Sequence, residues 1–175
     1  VEAELGTIGG AEDLVSAKKI IYTDPDEAFK FAAHSCCDFL AVAIGTSHGA
    51  YKFSGKIRLR MDLLQAIKKK VKMPLCLHGA SQVPKNLVRR AERYGADLSK
   101  AKGVPDSQIK MAIKYGINKI NTDTDLRIAF DAAVRKFVAK NPKDFDPRHM
   151  LGPARESIRE VAEHRIKVFG SGGKA

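Results

Sequence analysis

The sequence predicts an α/β fold of parallel β/α units, half of an eight-unit (β/α)8 TIM barrel followed by C-terminal helices. Three observations point there. Short apolar runs alternate with amphipathic stretches at intervals of roughly 35–45 residues, as in parallel strands joined by helical crossovers. Two of the runs, Ala41-Val42-Ala43-Ile44 and Leu75-Cys76-Leu77, suit strands buried on both faces. Each leads to a His-Gly pair, His48-Gly49 and His78-Gly79, so two imidazoles share one end of one sheet. Four such units alone would leave open sheet edges, which closure into a barrel removes.

The elements follow in order. Val1 to Leu5 alternates strictly, with Glu2 and Glu4 on one face and Val1, Ala3 and Leu5 on the other. A strand pattern at the first residue, without an initiator methionine, gives the expectation of a later part of something longer. Gly6 to Gly10 and the polar segment to Lys19 read as a mobile glycine-rich loop. Asp24 caps a helix over Asp26 to Ala33, with Pro25 near its first turn. A strand from Phe39 to Ile44, a loop from Tyr51 to Gly55 and a helix from about Leu59 to Val71 come next. After Leu75 to Leu77, a helix runs from Pro84 to Tyr94 and Gly95 closes it. Gly103-Val104-Pro105 opens the following helix, which ends at Gly116, and Ile117 to Asn121 is the fourth strand. A long helix from Asp125 to about Ala139 buries Leu126, Phe130, Ala133, Val134 and Phe137. The last helix, Pro153 to about Val168, turns Ile158, Val161 and Ala162 inward.

Composition narrows the class. With 175 residues, 44% hydrophobic and 29% charged, the chain can bury one ordinary core. No run approaches the roughly 20 apolar residues of a membrane helix, and there is no signal-peptide plan. Three cysteines without C-x-x-C spacing suit a reducing compartment, so the expectation is a cytoplasmic protein without a membrane partner. The net charge of +11 is spread over helix faces without interleaved aromatics. It favours an anionic small substrate over nucleic acid.

Three groups of residues carry chemistry. His48 and His78 are strand-end imidazoles, two of the three protein ligands a catalytic zinc usually keeps; capping or core roles are the alternative. His34, His149 and His164 lie in or beside helices and suit the surface. Glu2 and Glu4 point into the barrel, where a charge needs a partner. Lys119 is the natural partner for Glu2, and Glu4 stands nearer the metal's outer shell. Gly79-Ala80-Ser81 and Asn121-Thr122-Asp123-Thr124 offer N–H groups, hydroxyls and a helix N-terminus to a phosphate. Asp123 and Asp125 could instead be helix caps.

Four segments together resemble the class II fructose-bisphosphate aldolases, in the branch shared with tagatose-bisphosphate aldolase. They are Val1-Glu2-Ala3-Glu4-Leu5-Gly6, Ala43-Ile44-Gly45-Thr46-Ser47-His48-Gly49-Ala50-Tyr51-Lys52, Leu77-His78-Gly79-Ala80-Ser81 and Gly116-Ile117-Asn118-Lys119-Ile120-Asn121-Thr122-Asp123-Thr124-Asp125-Leu126-Arg127. The resemblance runs through Asp146-Pro147-Arg148 to Gly170. It makes residues 1–175 the last four β/α units of a single barrel domain, plus C-terminal helices.

The resemblance implies zinc-assisted cleavage of fructose 1,6-bisphosphate to dihydroxyacetone phosphate and glyceraldehyde 3-phosphate, with zinc polarising the ketone as a Lewis acid. His48 and His78 match zinc ligands, and Glu4 matches an acid near the metal or at an alternate zinc position. Glu12 matches a residue implicated in proton transfer, and Asn121 one that contacts the enediolate. Gly49, Gly79, Ser81, Asp123 and Thr124 match groups around the triose phosphate. Ser47, Gly49 and Gly79 lie where the family binds a monovalent cation, K+ or Na+. Lys52, Arg127 and Arg148 match residues that hold the distal phosphate; the alternatives are a solvated Arg127 and an Arg148 paired with Asp146. The family's N-terminal half, with the third histidine and the acid aspartate, has no counterpart here, so this segment alone is expected to be inactive. A homodimer or homotetramer is expected. Tagatose-bisphosphate cleavage and a non-catalytic binding module are the alternative functions.

Overall fold

The computed structural model describes residues 1–12, 15–17, 20–48 and 58–174, with side chains left aside for 11, 12, 15, 16 and 17. Gly49 and Lys52 lie outside the described residues, as does the side chain of Glu12. Strand β1 is Glu2–Leu5, followed by β2 (Gly9–Glu12), β3 (Val15–Ala17) and helix α1 (Pro25–His34). Strands β4 (Phe39–Val42) and β5 (Ser47–His48) precede α2 (Met61–Lys70), β6 (Leu75–Leu77) and α3 (Lys85–Glu92). Helix α4 (Asp106–Lys114), strand β7 (Ile117–Ile120), α5 (Thr124–Lys140) and α6 (Pro147–Phe169) complete the order.

Four strands form one parallel sheet in chain order, β1-β4-β6-β7, as consecutive units of a β/α barrel do. Strand alternation assigns its two faces. Leu40, Val42, Leu75, Leu77 and Ile117 turn outward into a core with Ala28 of α1, Leu64 and Ile67 of α2, and Ile109 and Ala112 of α4. The opposite face carries Glu2 and Glu4, Ala41, Cys76 and His78, and Lys119. Between β6 and β7 the register shifts, so that Leu75 faces Ile117 but Cys76 faces Lys119. Asn118 occupies the extra position and its side-chain oxygen accepts the Leu75 N–H at 3.1 Å. A bulge of this kind re-aims a side chain; here it brings Lys119 beside Cys76.

Three expectations change. The segment expected to be a loop up to Lys19 contains β2 and β3, which pair antiparallel, and β2 also pairs with β5. The inward face of α5 is Asp125, Ile128, Ala129, Ala132 and Ala133, while Phe130 is exposed. The helix is rotated because Asp125 is drawn inward. Helix α6 starts at Pro147 rather than Pro153, because the Asp146 carboxylate accepts the Arg148 N–H and Pro147 suits the first turn. Its buried residues are Ala154, Ser157, Arg165 and Val168. Among the described residues no helix is long and apolar enough to cross a membrane.

The turn after β6 is held from behind. Asp125 is fully buried, and its carboxylate accepts the N–H groups of Gln82 at 2.9 Å and Val83 at 2.7 Å. Arg165, buried in α6, donates to Asp106 at 2.8 Å and to the Ala80 carbonyl at 3.3 Å. Val83 sits at φ 50°, a strained conformation for a β-branched residue, so these bonds hold the turn against a local cost. Asp125→Ala strands two buried N–H groups and should lower the stability of the intact protein by about 2–4 kcal/mol. Asp125→Asn, which keeps an acceptor oxygen, should lose less. Denaturant unfolding of both variants measures the difference.

Candidate metal centre

The site lies at the C-terminal ends of the parallel strands. In register, Glu4 lies opposite Ala41, and Ala41 opposite Cys76. The intervening side chain is only a methyl group, so carboxylates on β1 reach across β4 to β6. The Glu4 carboxylate lies 2.7 Å from His78 Nδ1 and that of Glu2 lies 2.9 Å from Nε2. His48 arrives from β5, its ring centroid 6.2 Å from that of His78 and the rings inclined at 60°. Two glycines permit this approach. A Cβ on Gly79, at φ 60°, would stand 2.6 Å from the Ser47 carbonyl oxygen. One on Gly10, at φ 97°, would stand 2.2 Å from that of His48.

The electrostatics follow from this crowding. The Cys76 sulfur and the carboxylates of Glu4 and Glu2 favour the charged ring against the cost of burial, and His78 is pushed up to about 10. Burial works to raise the Glu2 pKa, but bonds from Lys119 and His78 outweigh it and hold the carboxyl below its ordinary range. Lys119 Nζ donates to Glu2 Oε2 at 2.9 Å and to Asn121 Oδ1 at 2.7 Å. Glu2 holds the Lys119 pKa above its ordinary value, so this lysine is an ammonium at neutral pH.

Donor atoms of Glu4, His48 and His78 lie within 4.8 Å of one another, as do those of Glu2, Cys76 and His78. Two imidazoles and a carboxylate fit the preferences of zinc, at ligand distances of roughly 2.0–2.2 Å. Beside them opens a cavity of about 250 Å³ lined by His48, His78, Gly79, Ala80, Ser81, Asn121, Thr122, Asp123 and Thr124. It ends at the N-terminus of α5, whose dipole and first-turn N–H groups suit an anion. Thr122 Oγ1 is buried with no hydrogen-bond partner among the described residues. Asp123 places its carboxylate 2.7 Å from Arg127 Nε, so its charge is countered beside the cavity.

Most of the residues singled out from the sequence therefore meet. His48, His78, Gly79, Ser81, Asn121, Asp123 and Thr124 surround one space, and Glu4 joins them through His78. Ser47 is buried next to it, and its hydroxyl donates to the Gly9 carbonyl at 2.7 Å. Glu2 does pair with Lys119, as expected, but also reaches His78. Arg127 and Arg148 do not line the cavity. Arg148 bonds Asp146 at 2.6 Å, the alternative that the sequence left open. Gly49, Lys52 and the Glu12 side chain fall outside the described residues. His34, His149 and His164 bond Lys30, Asp144 and Asp106 on the surface. Thr122 lies in the segment expected to offer hydroxyls to a phosphate, whereas sequence reasoning missed Cys76. The i, i+2 spacing of Cys76 from His78 was the available signal, since it sets both on one strand face.

Comparison with known proteins agrees with this geometry. The chain is 51% identical to the fructose-bisphosphate aldolase of Thermus caldophilus, over its whole length and 58% of that protein. It is 46% identical to the fructose-bisphosphate aldolase of Helicobacter pylori strain 26695, over 99% of this chain and 57% of the other. Among solved structures, the YdjI aldolase of Escherichia coli K12 superimposes with a TM-score of 0.71 at 34% identity. That superposition covers 99% of this chain and 50% of YdjI. The chain thus spans little more than half the length of the curated relatives it matches, and its sheet is part of a TIM barrel. The family model for "Fructose-bisphosphate aldolase class-II" matches residues 1–174, and the chain belongs to that family.

Proposed function

We propose that this chain is the part of a class II aldolase barrel that holds the zinc and the triose phosphate, in an enzyme that reversibly cleaves fructose 1,6-bisphosphate. The observation that carries the reading is the convergence of Glu4, His48 and His78 donors beside an anion-ready cavity. Zinc held there would act as a Lewis acid on the substrate ketone. The chain's own residues bind and orient. The N–H groups of 79–81 and 122–124 and the hydroxyls of Ser81 and Thr124 receive one phosphate, and the unpartnered Thr122 hydroxyl gains an acceptor. Asn121, fixed by Lys119, presents its amide to the triose. Carbonyls of Ser47, Gly49 and Gly79 are offered to a monovalent cation, and Glu12 to proton transfer. The residues that complete the zinc shell and act as general acid belong to the other half of the barrel. The products are dihydroxyacetone phosphate and glyceraldehyde 3-phosphate, in a cytoplasmic homodimer or homotetramer.

A Schiff-base route is disfavoured, because Lys119 is held as an ammonium by Glu2 and an ammonium is no nucleophile. Chelator should abolish cleavage by the intact protein, and borohydride with substrate should trap nothing. His78→Ala should remove zinc and nearly all turnover while circular dichroism stays unchanged. Stoichiometric zinc with near-native turnover in that variant contradicts the assignment.

Proton competition gives a second test. A metal-free His78 titrating near 10 carries a proton at neutral pH, and metal must displace it. The sign is fixed: protons hold the ring below its raised pKa. Apparent zinc affinity should therefore climb about tenfold per pH unit from 6.5 toward 9. Competition with a chromophoric chelator measures this slope, and a flat profile contradicts it.

Arg127 is offered to the distal phosphate, because it stands one turn beyond the cavity and its fork can exchange Asp123 for phosphate. Arg127→Ala should lower kcat/KM for fructose 1,6-bisphosphate by about thirty-fold, roughly 2 kcal/mol. With fructose 1-phosphate the loss should be small. Equal losses on both would assign the residue to the fold. Arg148 has the weaker claim, since its guanidinium serves the residue that caps its own helix.

A further inference from the structure

We infer that Glu2, Cys76 and His78 form a second, sulfur-containing site for a soft divalent cation, deeper in the barrel than the Glu4–His48–His78 set. Donor atoms of the three lie within 4.8 Å of one another and come from β1, from β6 and from the residue that follows β6. Tetrahedral zinc asks for donor separations of roughly 3.5 Å, so closure needs a shift of at most about 1.3 Å in any pair.

The place of Cys76 carries the argument. A free cysteine ordinarily packs as a small apolar group. Leu75 and Leu77, its neighbours on β6, do turn into the apolar core. Cys76 turns the other way and is fully buried, with its sulfur 3.8 Å from Lys119 Nζ and beside Glu2 and His78. A thiol set among a carboxylate, an imidazole and an ammonium is placed for coordination rather than for packing. The donor set of nitrogen, oxygen and sulfur selects zinc or cadmium over magnesium, calcium or manganese.

The two sets use opposite sides of one ring. His78 Nδ1 faces Glu4, and Nε2 faces Glu2. Both would be metallated together only as an imidazolate, so at neutral pH one ion engages the ring at a time. Lys119 already holds a positive charge against Glu2 Oε2 at 2.9 Å. Its ammonium is the occupant that an incoming cation must push aside, through Coulomb repulsion at roughly 4 Å. The sulfur set shares His78 with the first set but neither Glu4 nor His48, so variants at Cys76 and His48 separate the two.

Cadmium added to the metal-free intact protein should produce thiolate-to-metal absorption in the ultraviolet. Cys76→Ala should abolish that band, whereas His48→Ala should leave it. Lys119→Met, which removes the competing charge, should tighten cadmium by roughly tenfold or more; this reading stands even where Cys76→Ala does not fold. A band that survives Cys76→Ala comes from Cys36 or Cys37 and overturns the inference. So does a band lost with His48→Ala, or cadmium affinity unmoved by Lys119→Met. Absence of the sulfur band from the unsubstituted protein, with its zinc-dependent cleavage intact, defeats this site alone and leaves the aldolase reading standing.

Discussion

The turn from Gly79 to Val83 is the constraint on which the site depends, and the buried Asp125 carboxylate holds it. Two N–H bonds to one carboxylate fix the path of the backbone just where it leaves β6. Arg165 fixes the same turn from α6 through the Ala80 carbonyl. The N–H of Val104 meets the Ser81 carbonyl at 2.9 Å, which ties the turn to the segment before α4. The geometry of the candidate site is therefore set in part by the outer helices, α5 and α6.

Charge is arranged in two zones. The surface carries the excess of lysine and arginine in a chain of net charge +11. The centre holds carboxylates, with Glu2 and Glu4 clasping His78 and Lys119. Such a centre suits a cation, and the cavity at the start of α5 suits an anion. The two lie side by side. A basic exterior also raises the local concentration of anions without binding them at any one place.

Much of this was legible in the sequence because strand ends are written locally. The alternation Leu-Cys-Leu-His shows which face His78 takes, and Glu-Ala-Glu shows the same for β1. The expected meeting of His48 with His78 follows from two such strands side by side. Other features depend on geometry that no window of sequence contains. Glu2 and Glu4 reach His78 because Ala41, on the strand between them, is small. Lys119 stands beside Cys76 because of a register shift that Asn118 absorbs. Helix α5 was expected to bury Phe130, and the pull on Asp125 turned a different face inward. Arg165 is invisible to periodicity, since buried arginines are rare and Asp106 lies 59 positions away.

The contacts of the molecule divide by distance along the chain, and this bears on the order in which they can form. Arg127 meets Asp123 and Arg135 meets Asp131 within one helical turn. Glu4 meets His78 across 74 positions and Glu2 meets Lys119 across 117. Closing loops of that length costs entropy before any contact repays it. The helices can therefore take shape early, while the cluster of Glu2, Glu4, Cys76, His78 and Lys119 must come together late, as the strands align. Until then its two carboxylates and its thiol are open to any metal in solution. A folding chain would thus meet a metal ion as a trap or as a template, depending on which strand arrives first.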